Sequence, residues 1–286
     1  MTVFEMAGKA LRIGVVAPGT RIEPVLAERV KAFAADAFLD RAPEIVFHPQ
    51  CFLSAGHFAG DDEARAAAFL DYSNDPNFGA IWFARGGYGA CRIAETILGG
   101  LEPTARLKTY LGYSDGGALL AGLYAKGFAQ VAHGPMPVDI IREGGEAALR
   151  RALAFLIERA PEALELTVSP ETKTAAFNIM ILSSILGTPL EPDLSNHVLM
   201  LEEVGEYLYR IDRALFHITS SPRIRKVRGI KLGRVSDTPE NDKPFGADEE
   251  AIVRYWCKRA DIPYLGRADI GHDIDNRVVP FGVLGR

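Results

Sequence analysis

Cysteine is scarce in this chain: three in 286 residues, at 51, 91 and 257. So small and odd a number excludes a disulfide framework and fits a reducing compartment. No C-x-x-C pair is present to hold a metal, and each thiol is expected to behave as a small buried hydrophobe. The six histidines, at 48, 57, 133, 197, 217 and 272, are scattered without H-x-x-x-H spacing, so no metal and no other cofactor is expected. No run of 18 or more apolar residues occurs, which argues against a helical membrane span. The apolar run at 13–17 is too short for a signal-peptide core and closes in the turn pair Pro18-Gly19, so the expected location is the cytoplasm. Excess basic charge is missing too: 32 Lys and Arg against 37 Asp and Glu give a net charge of −5 and no field for nucleic acid. The densest basic stretch, residues 223–231, reads as a strand with one solvated face.

What is present is an ordinary globular composition, 48% hydrophobic and 24% charged, in a chain long enough for one large or two ordinary domains. In the first half, apolar β-forming runs alternate with helical stretches. Strands are expected at 11–17, 44–47, 80–84, 108–113 and 130–132, and helices at 24–38, at 61–72, up to Gly99-Gly100 and through Leu119, Leu120 and Leu123. That alternation predicts a doubly wound, largely parallel α/β sheet, whose ligands gather at the carboxyl ends of its strands. An amphipathic helix over 143–159 is closed by Ala160-Pro161, which places a domain boundary near 160. Beyond it, helices at 178–186, 207–219 and 248–259 and strands at 198–201 and 228–232, with a polar loop over 236–245, predict a second, smaller α/β domain packed over the serine edge of the first.

Two glycine-rich turns fall on that edge, Arg85-Gly86-Gly87-Tyr88-Gly89 and Gly112-Tyr113-Ser114-Asp115-Gly116. The second is a G-x-S-x-G between a strand and a helix, the context in which a serine hydroxyl is pushed out above a sheet with the next amide free to bind an oxyanion. A plainer role for Ser114 is a helix cap. The first turn is not a dinucleotide fingerprint, since its third glycine would fall at Arg92; free amides there suit an oxyanion better. A serine nucleophile needs a base, and the base needs an orienting carboxylate. His272, in the loop Ala268-Asp269-Ile270-Gly271-His272-Asp273, and Glu202, after four apolar strand residues, can supply them, although an exposed loop histidine and a capping carboxylate are the simpler local readings. If the strand continues through Glu203, alternation allows only one of the two adjacent glutamates to face the imidazole.

Along nearly its whole length the chain carries VVAPG, an ARGGYG followed by GYSD, HGPMP, ILGTPLEPDL, LEEVGE followed by YRIDR, and GHDIDNRVVPFG. In these segments it resembles the LD-carboxypeptidase family of serine peptidases, which includes muramoyltetrapeptide carboxypeptidases and microcin-immunity peptidases. The resemblance implies a Rossmann-like domain over 1–160 carrying the nucleophile Ser114, and a C-terminal domain over 161–286 carrying Glu202 and His272 of the triad. It also implies an oxyanion hole from the Asp115 amide and the Gly86-Gly87 turn. The implied reaction is release of the terminal D-alanine from cytoplasmic murein tetrapeptides during peptidoglycan recycling. Arg85 is the candidate to seat the substrate's free carboxylate. A homodimer is the default assembly, and neither nucleic acid nor membrane is an expected partner. The alternatives are a microcin-immunity-type peptidase acting on an aminoacyl-nucleotide toxin and a catalytically silent binding module. The chain departs from the family where Ala175-Ala176-Phe177-Asn178 replaces a glycine-rich GGN, and where Asp273 replaces a small residue after the histidine.

Overall fold

Strand and helix alternate from the start of the described chain, which in this computed structural model is residues 10–284. The order is β1 (Arg12–Val16), α1 (Pro24–Phe38), β2 (Glu44–Phe47), α2 (Asp62–Asn74), β3 (Ala80–Phe83), α3 (Ala90–Gly100), β4 (Thr109–Gly112), α4 (Gly117–Ala125), β5 (Val131–His133) and α5 (Gly145–Glu158). Helices cover both faces of these strands, so the strands read as continuous apolar runs, and all of β3 and β4 is buried. The helix starts are chemically marked. Pro24 opens α1 at a position whose N–H would have no partner, and Asp61 caps α2 by accepting the Ala64 amide at 2.8 Å, with Asp62 and Glu63 behind it at the positive end of the helix dipole.

The second half adds β6 (Thr174–Asn178), α6 (Ile179–Ile185), β7 (Val198–Val204), α7 (Leu208–Ser220), β8 (Gly229–Ser236), α8 (Glu249–Ala260), β9 (Tyr264–Arg267) and β10 (Val279–Pro280). Six strands form one sheet in the order β10-β5-β4-β3-β1-β2, parallel except for β10, and four form a parallel sheet β6-β7-β8-β9. This is the α/β architecture that the alternation predicts. In the first sheet the order of connections switches side between the parallel neighbours β1 and β3, the kind of place where α/β sheets receive ligands at their strands' carboxyl ends.

The two sheets are tied together by packing and by the returning chain. Helix α4 is apolar on every side, and its Leu119, Leu120 and Leu123 share one buried cluster with Phe177, Ile179 and Leu182 of β6 and α6. Each such side chain contributes roughly 1.5–3 kcal/mol by leaving water. After crossing the second sheet, the chain returns to pair β10 antiparallel with β5, Val279 opposite His133. Two residues later Gly282 exchanges backbone hydrogen bonds with Thr174, at 2.8 and 2.9 Å, next to the start of β6. The segment after His272 therefore touches both sheets.

Two expectations are corrected and one strand is added. Residues 223–231 are not a single strand with a solvated face: Ile224–Lys226 form a helical turn, β8 begins at Gly229, and Lys231 is buried with its ammonium 3.2 Å from Glu165. A carboxylate arriving from the segment before β6 is what makes that burial tolerable. Cys91 is exposed on α3, because the apolar face of that helix is taken by Ile93, Ala94 and Ile97; only Cys51 and Cys257 are buried. Finally, residues 174–178, seen in the sequence only as a departure from a motif, form an edge strand of the second sheet.

Candidate active site

The turn from β4 into α4 sets Ser114 at φ 59°, the left-handed region that a side chain other than glycine seldom adopts. Its neighbours are glycine because the turn closes over the Phe83 ring at the end of β3. A β-carbon on Gly112 or Gly116 would lie 2.5 or 2.7 Å from Phe83 Cδ2. The α-carbon of Gly86, in the adjacent turn, faces the serine directly, since a β-carbon there would stand 2.9 Å from Ser114 Oγ. Both glycine-rich turns thus meet at one hydroxyl.

Glu202 lies on β7, fully buried, and His272 on the loop after β9. The imidazole bridges the two sheets: His272 Nδ1 is 2.6 Å from Glu202 Oε2, and His272 Nε2 is 3.0 Å from Ser114 Oγ. With Glu202 ionised, Nδ1–H donates to the carboxylate, which leaves Nε2 to accept the serine proton. Burial by itself would lower the His272 pKa. The charge and hydrogen bond of Glu202, with Asp139 and Glu203 farther away, outweigh it and hold the pKa above the ordinary histidine value. Glu203 points to the other face of β7. Its carboxylate accepts from Asn178 Nδ2 at 2.6 Å, the Met180 amide at 3.0 Å and the Val204 amide at 2.9 Å, so it serves the start of α6.

The amides named as oxyanion donors belong to the serine turn and to the Gly86-Gly87 turn that meets it. Asp115 caps α3 with its side chain, Oδ2 accepting the Ala90 amide at 2.8 Å, while its own N–H donates to no group among the described residues. The Gly86 carbonyl is held by Thr20, whose Oγ1 donates to it at 2.9 Å. Across the trans peptide the Gly87 N–H points the opposite way, and it too has no acceptor among the described residues. Arg85 is exposed, and its guanidinium lies 3.5 Å from the Arg21 carbonyl.

Sequence reasoning missed several residues that shape this site. The Tyr113 ring lies 4.8 Å from that of His272, fixed by its hydroxyl donating to buried Asp139 at 2.8 Å. Asn276 Oδ1 accepts the Gly271 amide at 3.3 Å and also meets His133 Nε2 at 3.2 Å, so His133 carries its proton on Nε2. Burial pushes the His133 pKa down to about 4, which keeps this second histidine neutral. The strand end at His133 was visible in the sequence, but its partner 143 residues away was not.

Comparison with known proteins agrees with this arrangement in fold and family. Residues 13–134 match the model of the LD-carboxypeptidase N-terminal domain, and residues 172–286 that of the LD-carboxypeptidase C-terminal domain. A putative carboxypeptidase of Streptomyces coelicolor is 31% identical over 95% of this chain and 88% of its own length. The murein tetrapeptide carboxypeptidase of Pseudomonas aeruginosa is 25% identical over 95% of this chain and 91% of its own length. Among solved structures, a muramoyltetrapeptide carboxypeptidase from Oxalobacter formigenes superposes with a TM-score of 0.79 at 24% identity, covering 94% of this chain and 93% of that one. MccF in complex with glutamyl sulfamoyl guanosine gives 0.78 at 19% identity, covering 96% and 92%. At these identities the two structural likenesses speak for the fold.

Proposed function

Because the chain belongs to the LD-carboxypeptidase family, we propose that it is a serine carboxypeptidase releasing the terminal D-alanine of murein tetrapeptides, with Ser114 as nucleophile, His272 as base and Glu202 as its orienting carboxylate. The observation that carries this reading is the unbroken relay from Glu202 through His272 to Ser114, at 2.6 and 3.0 Å. Ser114 Oγ attacks the carbonyl carbon that links the L-centre of the diamino acid to D-alanine, and its proton passes to His272 Nε2. The carbonyl oxygen takes the negative charge, facing the free amides of Asp115 and Gly87. The C–N bond then breaks, His272 returns the proton to the departing amine, and water repeats the sequence to free the tripeptide and Ser114. Arg85, at the edge of the Gly86-Gly87 turn, is the cation offered to the terminal carboxylate. The same proposal divides the chain near residue 160 into a nucleophile domain and a Glu–His domain, acting as a homodimer in the cytoplasm, where three unpaired thiols would stay reduced.

The test is direct. Purified protein incubated with murein tetrapeptide should release D-alanine and tripeptide and leave an aminoacyl sulfamoyl adenosine intact. Hydrolysis of the nucleotide alone would move the protein to the microcin-immunity alternative, and turnover of neither would make it a binding module. The pH dependence follows from the site. The base acts as neutral imidazole, and its pKa is raised, so kcat/KM should climb with pH through an apparent value above about 6.5. Glu202→Gln should bring that value down, since the largest raising influence is gone. An inflection below about 6 in the wild type would contradict the Glu202–His272 pairing.

A further inference from the structure

The His272 loop is gripped by a residue outside the triad. Arg234, on β8, donates Nη1 to Asp269 Oδ1 at 2.6 Å, Nη2 to Asp273 Oδ1 at 2.8 Å, and Nε to Asp273 Oδ2. Its backbone amide also donates to the Ile270 carbonyl at 2.8 Å. The two aspartates stand three residues before and one after His272, so one guanidinium spans the turn that presents the imidazole. Gly271 allows the approach, because a β-carbon there would fall 2.9 Å from Arg234 Cβ.

The same arginine is linked to the strand that carries Glu202. Pairing of β7 with β8 slips between Leu201 and Glu203: Leu201 lies opposite Leu232 but Glu203 opposite Val235, so Gly233 and Arg234 together face Glu202. In that bulge a β-carbon on Gly233 would be 3.0 Å from Glu202 Cβ. Glu202 meets His272 through Oε2 alone, and its buried Oε1 has no partner among the described residues. One hydrogen bond of this kind allows the imidazole to swing about it, so the angle of Nε2 toward Ser114 has to be set by the loop.

We propose that Arg234 is a positioning residue for His272, locking the 269–273 turn against β8 so that the imidazole stays aligned between Glu202 and Ser114. The inference rests on the reading of Ser114 as nucleophile. The three side chains of the clamp are 30–33% exposed, so the ion pairs are partly screened and add little to stability. Their value lies in the two-pronged geometry, because a displacement of about 1 Å at a reacting group can lower a rate by roughly 10²-fold.

The experiment measures two things on the full chain: D-alanine release, and the rate at which diisopropyl fluorophosphate phosphorylates Ser114 with loss of fluoride. Arg234→Gln should lower kcat and the phosphorylation rate each by roughly 30- to 100-fold, with KM within about threefold of wild type. Arg234→Lys, which keeps the charge but loses the fork, should fall between the two. If that variant alone is folded by circular dichroism, its intermediate rate carries the test. Arg234→Gln combined with Asp269→Asn and Asp273→Asn removes the carboxylate charges that Arg234 had paired without restoring the clamp, and it should remain as slow as the single variant. Wild-type rates in Arg234→Gln or Arg234→Lys, or recovery in the triple variant, would overturn the positioning role. A wild-type protein that is not phosphorylated at Ser114 would instead overturn the nucleophile reading on which the inference rests.

Discussion

Ser114→Ala lowers kcat for D-alanine release by roughly 10⁵-fold or more, the expected loss when a serine nucleophile is removed from an otherwise intact triad and oxyanion site. The fold should survive. Ser114 is only half-buried, and among the described residues its hydroxyl bonds to no side chain except His272, so its loss costs the fold one hydrogen bond, at His272 Nε2. The left-handed backbone at φ 59° is imposed by the packing of Gly112 and Gly116 on Phe83, and alanine tolerates it about as well as serine. KM should move by no more than a few fold, since the acyl-accepting atom contributes little to ground-state binding. Activity above about a tenth of wild type, with circular dichroism unchanged, would remove Ser114 from the mechanism.

The second large effect separates two adjacent carboxylates. Glu202→Gln keeps the shape of the side chain but removes the charge, and its amide can offer N–H to His272 Nδ1, favouring the tautomer that cannot accept the serine proton. In a comparable triad that change lowers kcat by roughly 10⁴-fold, and a drop of at least about a hundredfold is expected here. Glu203→Gln should cost under about tenfold in kcat, because its partners are Asn178 and the amides of Met180 and Val204, none of which touches the imidazole. Its effect falls on stability: one of its oxygens becomes an NH₂ that cannot accept, leaving a buried donor at the start of α6 unpaired at a cost of roughly 1–3 kcal/mol. Kinetics of both variants, with thermal unfolding, would decide. If Glu203→Gln proved the slower enzyme, the orienting role would belong to Glu203.

How far each feature could be read from the chain depends on the range of the interaction behind it. The strand-helix alternation of the first half, the cap at Asp61 and the sharp turn at Ser114 were legible because each is decided within a few residues, by hydrophobic period, by a side chain reaching its own helix start, or by glycines where a β-carbon has no room. The opposite facing of Glu202 and Glu203 was legible too, since alternation along a strand is local geometry. Strand β6 was not: Thr174–Asn178 is five residues long, and its pairing with β7 is what makes it a strand. The burial of Lys231 depends on Glu165, 66 positions earlier, and Thr20 holds the Gly86 carbonyl across the same separation. The relay itself joins residues 70 and 158 positions apart, and the loop carrying its histidine is set from elsewhere in the chain by Arg234 and, through the loop's own Asn276, by His133. In the first half, composition and periodicity fix which segments become strands, since that follows from each segment's own chemistry. Which imidazole meets which hydroxyl was decided by the crossing of two sheets and by the return of β10 to β5, because only the closed fold brings such distant side chains within hydrogen-bond reach.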